Sequence, residues 1–163
     1  MYSSTYQSPL GPLELVASDE GLVAVLWPDD PPDRVRLGDD LLESPDNPVL
    51  AKAAEQLDEY FEGKRKDFDL PLDLRGTEFQ VAAWQSLAQI PYGETATYGE
   101  QAASLGRPKA VRAIGAANGR NPVSIILPCH RVVGANGSLT GFAAGLDAKR
   151  FLLDLEQESA RLF

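Results

Sequence analysis

The single cysteine of this chain, Cys129, is followed directly by its single histidine, His130. A cysteine attacks as its thiolate, and a neighbouring histidine that takes the thiol proton favours that form. The pair therefore indicates an activated sulfur nucleophile. A lone cysteine or histidine is also common as a packed core residue, so the surrounding sequence has to decide between the two interpretations.

The composition limits the chemistry that this pair can carry out. With 163 residues, 44% of them hydrophobic, the chain can form a core as one domain or as two small ones. One cysteine excludes an intrachain disulfide framework and, with one histidine, a structural zinc site without several carboxylates. No apolar run approaches the roughly 20 residues of a membrane span, and the first residues lack the features of a signal peptide. We expect a cytoplasmic protein without membrane contact.

Charge is distributed unevenly along the chain. The net charge is −9 and the pI about 4.6, which taken globally argues against a nucleic-acid partner. Residues 101–146, however, contain no acidic residue and five basic ones, namely Arg107, Lys109, Arg112, Arg120 and Arg131. Removing their +5 from −9 leaves −14 on the remainder. A basic face on an acidic body is compatible with DNA, although a solvated stretch can have the same composition.

The elements that must position the pair divide near Gly76. Residues 2–27 alternate short apolar segments with turn residues, which predicts an antiparallel meander. Residues 28–48 are rich in Pro and Asp and predict a solvated loop around at most a short element. Residues 49–62 have apolar positions at helical spacing, after an Asn-Pro start and before a glycine. The first half therefore predicts a small sheet with one helix.

The second half begins with helices. Residues 77–80 and 97–100 are capping boxes, each of which opens a helix. A Gly-containing break then precedes a third helix over residues 108–117. Two short helices joined by such a turn fit a helix-turn-helix, the second helix carrying Lys109 and Arg112. Taken alone this is weak evidence for DNA binding, because helix hairpins are common.

The segments around the cysteine follow these helices. Residues 123–127 are an apolar run that predicts a buried strand or extended segment. Asn136-Gly137 predicts a type I′ hairpin turn, and residues 141–145 predict a small-residue loop that can approach a flat ligand closely. Residues 146–162 predict a closing amphipathic helix.

Two of these stretches resemble a known family. Residues 121–132 (Asn-Pro-Val-Ser-Ile-Ile-Leu-Pro-Cys-His-Arg-Val) and 134–143 (Gly-Ala-Asn-Gly-Ser-Leu-Thr-Gly-Phe-Ala) resemble the active-site signature of the O6-alkylguanine-DNA alkyltransferases, also called methylated-DNA-protein-cysteine methyltransferases. The specific resemblance covers roughly residues 77–160, and the front half agrees in general layout.

The resemblance implies a fold and an activity. The α/β fold would comprise a small N-terminal ribonuclease H-like domain (1–75) and a C-terminal, mostly helical, winged-helix-like domain (76–163) that contains the helix-turn-helix. The activity would be DNA repair by direct reversal. An alkyl group would pass from O6-alkylguanine, or O4-alkylthymine, in duplex DNA to Cys129, with base flipping. The transfer would be irreversible and stoichiometric, by a monomer that needs neither a cofactor nor a metal.

The resemblance also assigns roles to individual side chains. Cys129 matches the alkyl acceptor, His130 the base that takes the thiol proton through a water, and Glu156 the carboxylate that orients the imidazole. Asn121 matches the residue that braces the active-site turn. Tyr98 matches the phenol that hydrogen-bonds the departing guanine.

Further positions match the DNA contacts and the substrate pocket. Arg112 matches the arginine that enters the duplex, and the other predicted DNA contacts are Tyr98, Lys109, Arg120 and Arg131. The backbone at Cys129, Val132 and Ala143 matches the groups that read the guanine edge and its oxygen. The predicted substrate pocket consists of Val132, Phe142, Ala143 and Ala144. Ala144 stands where the family commonly has glycine, and we expect its methyl group at the pocket rim to affect the fit of bulky alkyl groups. The front half lacks the cysteines and histidines with which some relatives bind zinc.

Elementary chemistry agrees with these roles. Neighbouring side chains of an extended segment face opposite ways, so we expect His130 to reach Cys129 through a water. The thiolate would displace guanine in line, and Tyr98 would donate to the charge that develops on the leaving base. We also expect the relay to lower the Cys129 pKa below its reference of about 8.5. A base inside a duplex is out of reach and must be flipped.

Two other functions remain open on the residues alone. A cysteine hydrolase or thiol redox protein would also use an activated thiolate, but it needs an oxyanion hole or a resolving thiol, and a second cysteine is absent. A non-catalytic helix-turn-helix regulator or alkyl-lesion-binding protein would explain the basic segment and leave the Cys-His-Glu set without a purpose. The hydrolase would turn over, whereas the regulator would bind without covalent change.

Overall fold

The first half of the chain forms the predicted meander. The computed structural model describes residues 1–38 and 40–161. Strands β1 (Tyr2–Ser8), β2 (Gly11–Ala17) and β3 (Leu22–Leu26) are antiparallel, with Ser8 paired to Gly11 at the first turn. A two-residue strand, β4 (Leu42–Glu43), adds in parallel to β1 and makes the order β3-β2-β1-β4. The short element in the Pro- and Asp-rich loop is therefore an edge strand.

Helix α1 (Pro48–Phe61) covers this sheet, as the apolar spacing predicts. It begins at Asn47, whose side chain accepts hydrogen bonds from the backbone of Val49 and Leu50, and proline at the first position needs no donor there. Its buried face packs against β1, β2 and β3. That face contains Leu50, Ala53, Gln56, Leu57 and Tyr60.

The second half begins with three packed helices. Helix α2 (Glu78–Ser86) continues into a 3₁₀ turn (Leu87–Gln89). The two-residue strand β5 (Ala96–Thr97) leads into α3 (Tyr98–Ser104). Both predicted capping boxes form, with the side chains of residues 77 and 97 accepting from the backbone three residues on. Helix α4 (Val111–Gly119) packs on α2 and α3 and completes the predicted helix-turn-helix.

Helix α4 starts three residues later than predicted. Ala110 donates its N–H to the carbonyl of Arg107 (2.9 Å), so residues 107–110 form a separate turn. Lys109 lies in that turn, and the prediction that the second helix carries it is wrong. The capping position, Ala110, has no side-chain acceptor with which to start the helix sooner.

The predicted strand over residues 123–127 is also wrong. This run makes two isolated β-bridges, Val25 with Val123 and Ser124 with Leu127. Ile125 has a φ of +75°, and Leu127 donates to the carbonyl of Val123 (3.0 Å), so the run folds back as a tight loop. Its apolar side chains are buried, which explains the strand-like composition.

The chain then returns to the body through a short strand and a final helix. Strand β6 (Val132–Val133) pairs in parallel with β5. At Asn136-Gly137 only the glycine has a positive φ (+80°), whereas a type I′ turn needs two such residues, so that prediction is wrong. Helix α5 (Leu146–Ala160) confirms the closing helix, and the end predicted at Leu162 lies outside the described residues.

The two halves share one hydrophobic core. Leu13 and Leu57 from the first half belong to the same cluster of buried side chains as Trp84, Leu87 and Leu152 from the second. Side chains from the sheet and from α1 therefore reach the segments that carry Cys129 and Glu156. In residues 1–38 and 40–161, no helix has the length and apolar character needed to cross a membrane.

Candidate active site

Cys129 begins a 3₁₀ turn that runs from Cys129 to Arg131. The turn is buried, and the cysteine is 8% exposed. Asn121 sets the geometry of the preceding loop, because its side chain donates to the carbonyl of Leu127 (2.8 Å) and accepts from the N–H of Val123 (3.1 Å). The expectation of an extended segment at Cys129 is wrong, since the asparagine holds the chain in a bend.

The side chain of His130 lies in a buried cluster around Glu156. The imidazole Nε2 lies 2.6 Å from Glu156 Oε2. Arg131 donates from Nε to Oε1 (2.8 Å) and from Nη2 to Oε2 (3.1 Å). Tyr60 of α1 donates its hydroxyl to the same Oε2 (2.7 Å). All four side chains are buried.

The charges of this cluster follow from its contacts. Burial by itself raises the pKa of Glu156, but the hydrogen bonds from His130 and Arg131 and the positive charge of Arg131 outweigh it and lower that pKa to about 2. Burial lowers the pKa of His130, against the opposing effect of Glu156. The neutral imidazole therefore gives its one hydrogen, on Nε2, to the carboxylate. Nδ1 has no hydrogen-bond partner among the described residues and is free to accept a proton.

The thiol of Cys129 behaves differently from the prediction. Its burial raises the pKa, and this outweighs hydrogen bonds with Asn121 and Ser124 and the positive charges nearby. The expectation of a pKa below the reference is wrong for the resting protein, because desolvation penalises a buried thiolate. Cys129 is a thiol at rest, and its proton must leave in the course of the reaction.

A cavity of about 440 Å³ opens beside the cysteine. Its walls come from α3, α4, the 3₁₀ turn and the loop after β6, and they consist of Tyr98, Gly115, Asn118, Gly119, Cys129, Gly141, Phe142 and Ala143. This volume is typical of sites for small flat molecules. Thr140 donates its hydroxyl to Tyr98 Oη (2.9 Å), which leaves the phenol hydrogen available to a ligand.

Two residues predicted in the pocket do not line this cavity with their side chains, and the backbone contact predicted for Val132 stays a prediction. Val132 is fully buried in β6 and Ala144 packs against the main core, and neither is among the cavity-lining residues that the structure describes. The side chain of Ala144 packs toward the core, and its effect on the fit of bulky alkyl groups stays a prediction. Ala143 and Phe142 occupy the wall as predicted from the loop.

Comparison with known proteins accounts for this arrangement. Residues 1–74 match the family model described as the ribonuclease-like domain of 6-O-methylguanine DNA methyltransferase, and residues 78–158 match the model described as its DNA binding domain. The chain belongs to the 6-O-methylguanine DNA methyltransferase family.

Relatives from archaea and bacteria are similar over nearly the whole chain. The methylated-DNA-protein-cysteine methyltransferase of Methanosarcina acetivorans is 50% identical over 161 residues, covering 96% of this chain and 98% of the relative. That of Mycobacterium tuberculosis is 46% identical over 158 residues, covering 96% and 92%. The crystal structure of M. tuberculosis OGT in complex with DNA superposes with a TM-score of 0.89 at 43% identity, covering 98% and 94%. The predicted fold class, a ribonuclease-like domain followed by a helical DNA-binding domain, is confirmed.

The predicted DNA contacts of this methyltransferase-family chain fall into two groups. Arg112 and Lys109 are exposed at the start of α4 and in the turn before it. Arg112 precedes Gly115 and Gly119 by three and seven residues, so it lies on the helix face that lines the cavity. Arg120 is exposed at the opposite end of α4, where it donates to the carbonyl of Asp33 (3.3 Å).

Arg131 does not belong to either group. It is 5% exposed, and its guanidinium binds Glu156 and the carbonyl of Ile90 (2.7 Å). The prediction that it contacts DNA is wrong, because its guanidinium is buried in an ion pair with the carboxylate of Glu156. Net charge along the sequence does not distinguish such a residue from an exposed one.

Replacing Arg131 tests this correction. Arg131→Met leaves the buried Glu156 without its paired guanidinium, so we expect a loss of about 3–5 kcal/mol in the free energy of unfolding. The salt dependence of DNA affinity should not change. Urea unfolding and binding titrations over several salt concentrations measure both, with the exposed Lys109→Met as the control that flattens the salt slope. Normal stability with a flattened slope for Arg131→Met would restore the DNA-contact role.

Sequence reasoning missed Lys149 at the family's active site. Lys149 is fully buried and donates Nζ–H to the carbonyls of Val132 (2.6 Å) and Thr140 (3.0 Å), which ties the loop after the cysteine to α5. Burial lowers its pKa, and the nearby Cys129 opposes this. A signal was present, since Lys149 occupies the apolar stripe of the predicted helix, one turn before Leu152 and Leu153.

A buried amide pair also escaped notice. Gln101 of α3 and Asn118 of α4 exchange hydrogen bonds of 3.1 and 2.8 Å, and Gln101 also donates to the carbonyl of Ala83 (3.1 Å). Asn118 lines the cavity. The pair therefore fixes the position of α4 relative to α2 and α3. No feature of a capping box or a helix hairpin identifies such a pair before the helices are packed.

Proposed function

We propose that this protein repairs alkylated DNA by moving an alkyl group, in the simplest case methyl, from guanine O6 to Cys129 Sγ. The observation that carries the proposal is the position of Cys129, which forms one wall of the 440 Å³ cavity while the His130-Glu156 pair lies behind its turn. The sulfur–carbon bond forms as the carbon–oxygen bond breaks, and the bonding electrons leave with O6. O4-alkylthymine offers the same bond to the same sulfur.

Each proton of this reaction has a proposed carrier. The thiol proton passes through a water to Nδ1 of His130, whose Nε2–H remains bound to Glu156. The departing guanine gains negative charge, and the phenol of Tyr98 donates to it from the cavity wall. Asn121 keeps the turn in place while the thiolate forms.

Access to the cavity requires a flipped base. Cys129 is 8% exposed, so a base stacked inside a duplex cannot reach its sulfur. Arg112 is exposed on the cavity side of α4 and is suited to enter the gap that the flipped nucleotide leaves. The exposed Lys109 and Arg120 would contact backbone phosphates, which carry no sequence information. The protein would therefore inspect any sequence for a damaged base.

The product explains why each molecule acts once. S-alkylcysteine is a thioether, which neither water nor a thiol displaces under mild conditions. We propose single-turnover action by a monomer in the cytoplasm. Support comes from the single chain that supplies all of the relay, and from the free thiol, which a reducing compartment preserves. The division into residues 1–75 and 76–163 is part of the proposal and is close to the extents of the two family matches.

Intact mass spectrometry tests the proposal. Incubation with excess O6-methylguanine duplex should add one methyl group per chain, located by digestion on the peptide that contains Cys129. An identical duplex with unmodified guanine is the control. Several turnovers per chain would indicate a hydrolase or true catalyst instead. Tight binding without a change in mass would indicate a regulator or lesion-binding protein.

A variant of Arg112 separates base flipping from chemistry. Arg112→Ala should slow transfer from duplex DNA by about tenfold or more, equivalent to about 1.4 kcal/mol in the barrier, because nothing then fills the gap in the stack. Its reaction with free O6-benzylguanine should stay close to wild type, since a free base needs no flipping. Single-turnover rates on both substrates measure this. Lys52→Ala on α1 removes an exposed charge far from α4 and is the control, and equal losses on both substrates for Arg112→Ala would contradict the role.

A further inference from the structure

Tyr60 connects the ribonuclease-like domain to the acid-base relay. It lies in the last turn of α1 and is fully buried. Its hydroxyl donates to Glu156 Oε2 (2.7 Å), the oxygen that also accepts from His130 Nε2 (2.6 Å). The hydrogen bond joins residues 96 positions apart. The other side-chain donors to this carboxylate, His130 and Arg131, come from the DNA-binding domain.

We propose that Tyr60 is a positioning residue that keeps His130 weakly basic, because both side chains donate to the same oxygen of Glu156. The ribonuclease-like domain thereby takes part in alkyl transfer. The proposal rests on the proposed function. A phenol that donates to Oε2 draws negative charge from that oxygen, so the carboxylate attracts the imidazole proton less strongly. His130 then stays neutral at rest, with Nδ1 ready for the thiol proton.

The charged groups near His130 act on it in opposite directions. Arg131, its neighbour in the 3₁₀ turn, and Lys149 on α5 both disfavour a positive imidazole, whereas Glu156 favours it. Tyr92 approaches the ring of Tyr60 edge-on with centroids 6.3 Å apart. Burial and the neighbouring carboxylate raise the pKa of Tyr60 well above its usual value, so it remains a donor at every working pH. Removing the Tyr60 hydroxyl therefore leaves more negative charge on Glu156 Oε2 and makes His130 more basic.

The same helix offers a matched control. Tyr6 of β1 donates its hydroxyl to Asp58 Oδ1 on α1 at the same distance, 2.7 Å. Its ring packs on Phe61, next to Tyr60 in the core. Removing this hydroxyl deletes a tyrosine-carboxylate hydrogen bond of equal length from the same domain, without touching Glu156.

The test compares Tyr60→Phe with Tyr6→Phe in the full chain. Single-turnover methyl transfer from O6-methylguanine duplex is measured from about pH 4 to pH 9, together with urea unfolding. The rate should rise with pH as His130 loses its proton. In Tyr60→Phe this rise should move to higher pH by about one unit, giving about a tenfold loss of rate on the acid side and little loss on the alkaline side. Tyr6→Phe should keep the wild-type profile.

A second variant reverses the sign and covers the case in which Tyr60→Phe does not fold. Site-specific 3-fluorotyrosine at position 60 is a stronger donor of nearly the same size, so the rise should move to lower pH. A rate loss in Tyr60→Phe that is equal at all pH values, or an equal shift in Tyr6→Phe, would overturn the proposal and leave Tyr60 a packing residue. Failure of the proposed function is distinguishable, because wild type itself would then transfer no methyl group.

Discussion

Cys129→Ser is expected to abolish methyl transfer while DNA binding and stability remain close to wild type. A serine hydroxyl fits the same buried position and can keep the hydrogen bond with Asn121. It ionises far less readily than a thiol, and loss of a nucleophile costs on the order of 10⁴ to 10⁶ in rate. The added mass per chain and the affinity for O6-methylguanine duplex, measured on the same preparation, check both expectations.

Because Cys129 lies in a buried turn, the loss of activity in Cys129→Ser needs a control for local changes in structure. Ser124→Ala, which removes a hydroxyl that hydrogen-bonds the cysteine, is a suitable companion variant because Ser124 accepts from Trp27 Nε1 (3.2 Å) and is not the proposed acceptor of the alkyl group. It should still gain one methyl group. Methyl transfer to Cys129→Ser, or an acceptor peptide that lacks residue 129, would remove the basis of the proposed function.

Glu156→Gln is expected to reduce both stability and rate. The amide keeps the size of the side chain but leaves the buried guanidinium of Arg131 uncompensated, which costs about 3–5 kcal/mol in the free energy of unfolding. His130 loses the carboxylate that holds its Nε2–H, so transfer should slow by on the order of 100-fold. Glu158→Gln changes an exposed carboxylate two residues further along α5 and should alter neither property.

The pH dependence of unfolding separates the effect of the charge of Glu156 from the effect of its side-chain shape. Since the folded pKa of Glu156 is about 2 and its ordinary value is 4.5, ionised Glu156 stabilises the fold above about pH 4.5, and this stabilisation is lost as the pH falls toward 2. The difference between wild type and Glu156→Gln should therefore be largest near pH 7 and shrink below pH 4.5. A difference that stays constant down to pH 3 would show that the charge of Glu156 is not what stabilises the cluster.

Local features of the sequence were sufficient wherever the stabilising contact spans a few residues. The capping boxes at Thr77 and Thr97 and the cap at Asn47 bond the backbone two or three positions on, so each helix start can be predicted from adjacent letters. The meander follows from turn residues between short apolar strands. The contiguous signature around Cys129 and His130 was enough to indicate the family.

Errors arose where a residue's neighbours in sequence are not its neighbours in space. Arg131 stands in a stretch free of acids, yet it pairs with a carboxylate 25 residues away and is buried. The apolar run before Cys129 has the composition of a strand, but Asn121 bends it into a loop. The adjacent histidine predicts an acidic thiol, whereas burial dominates its pKa and raises it.

The sequence by itself determined the three helix starts that have side-chain caps, the sheet meander and the chemical identity of the nucleophile, because these depend on covalent neighbours and on side-chain type. Only the tertiary structure decided which charges are buried, which atom of His130 is free to accept a proton, and that Tyr60 and Lys149 belong to the site. Those properties depend on desolvation and on hydrogen bonds across a shared core, where Tyr60 meets Glu156 from 96 residues away. Such contacts exist only once both domains are packed together.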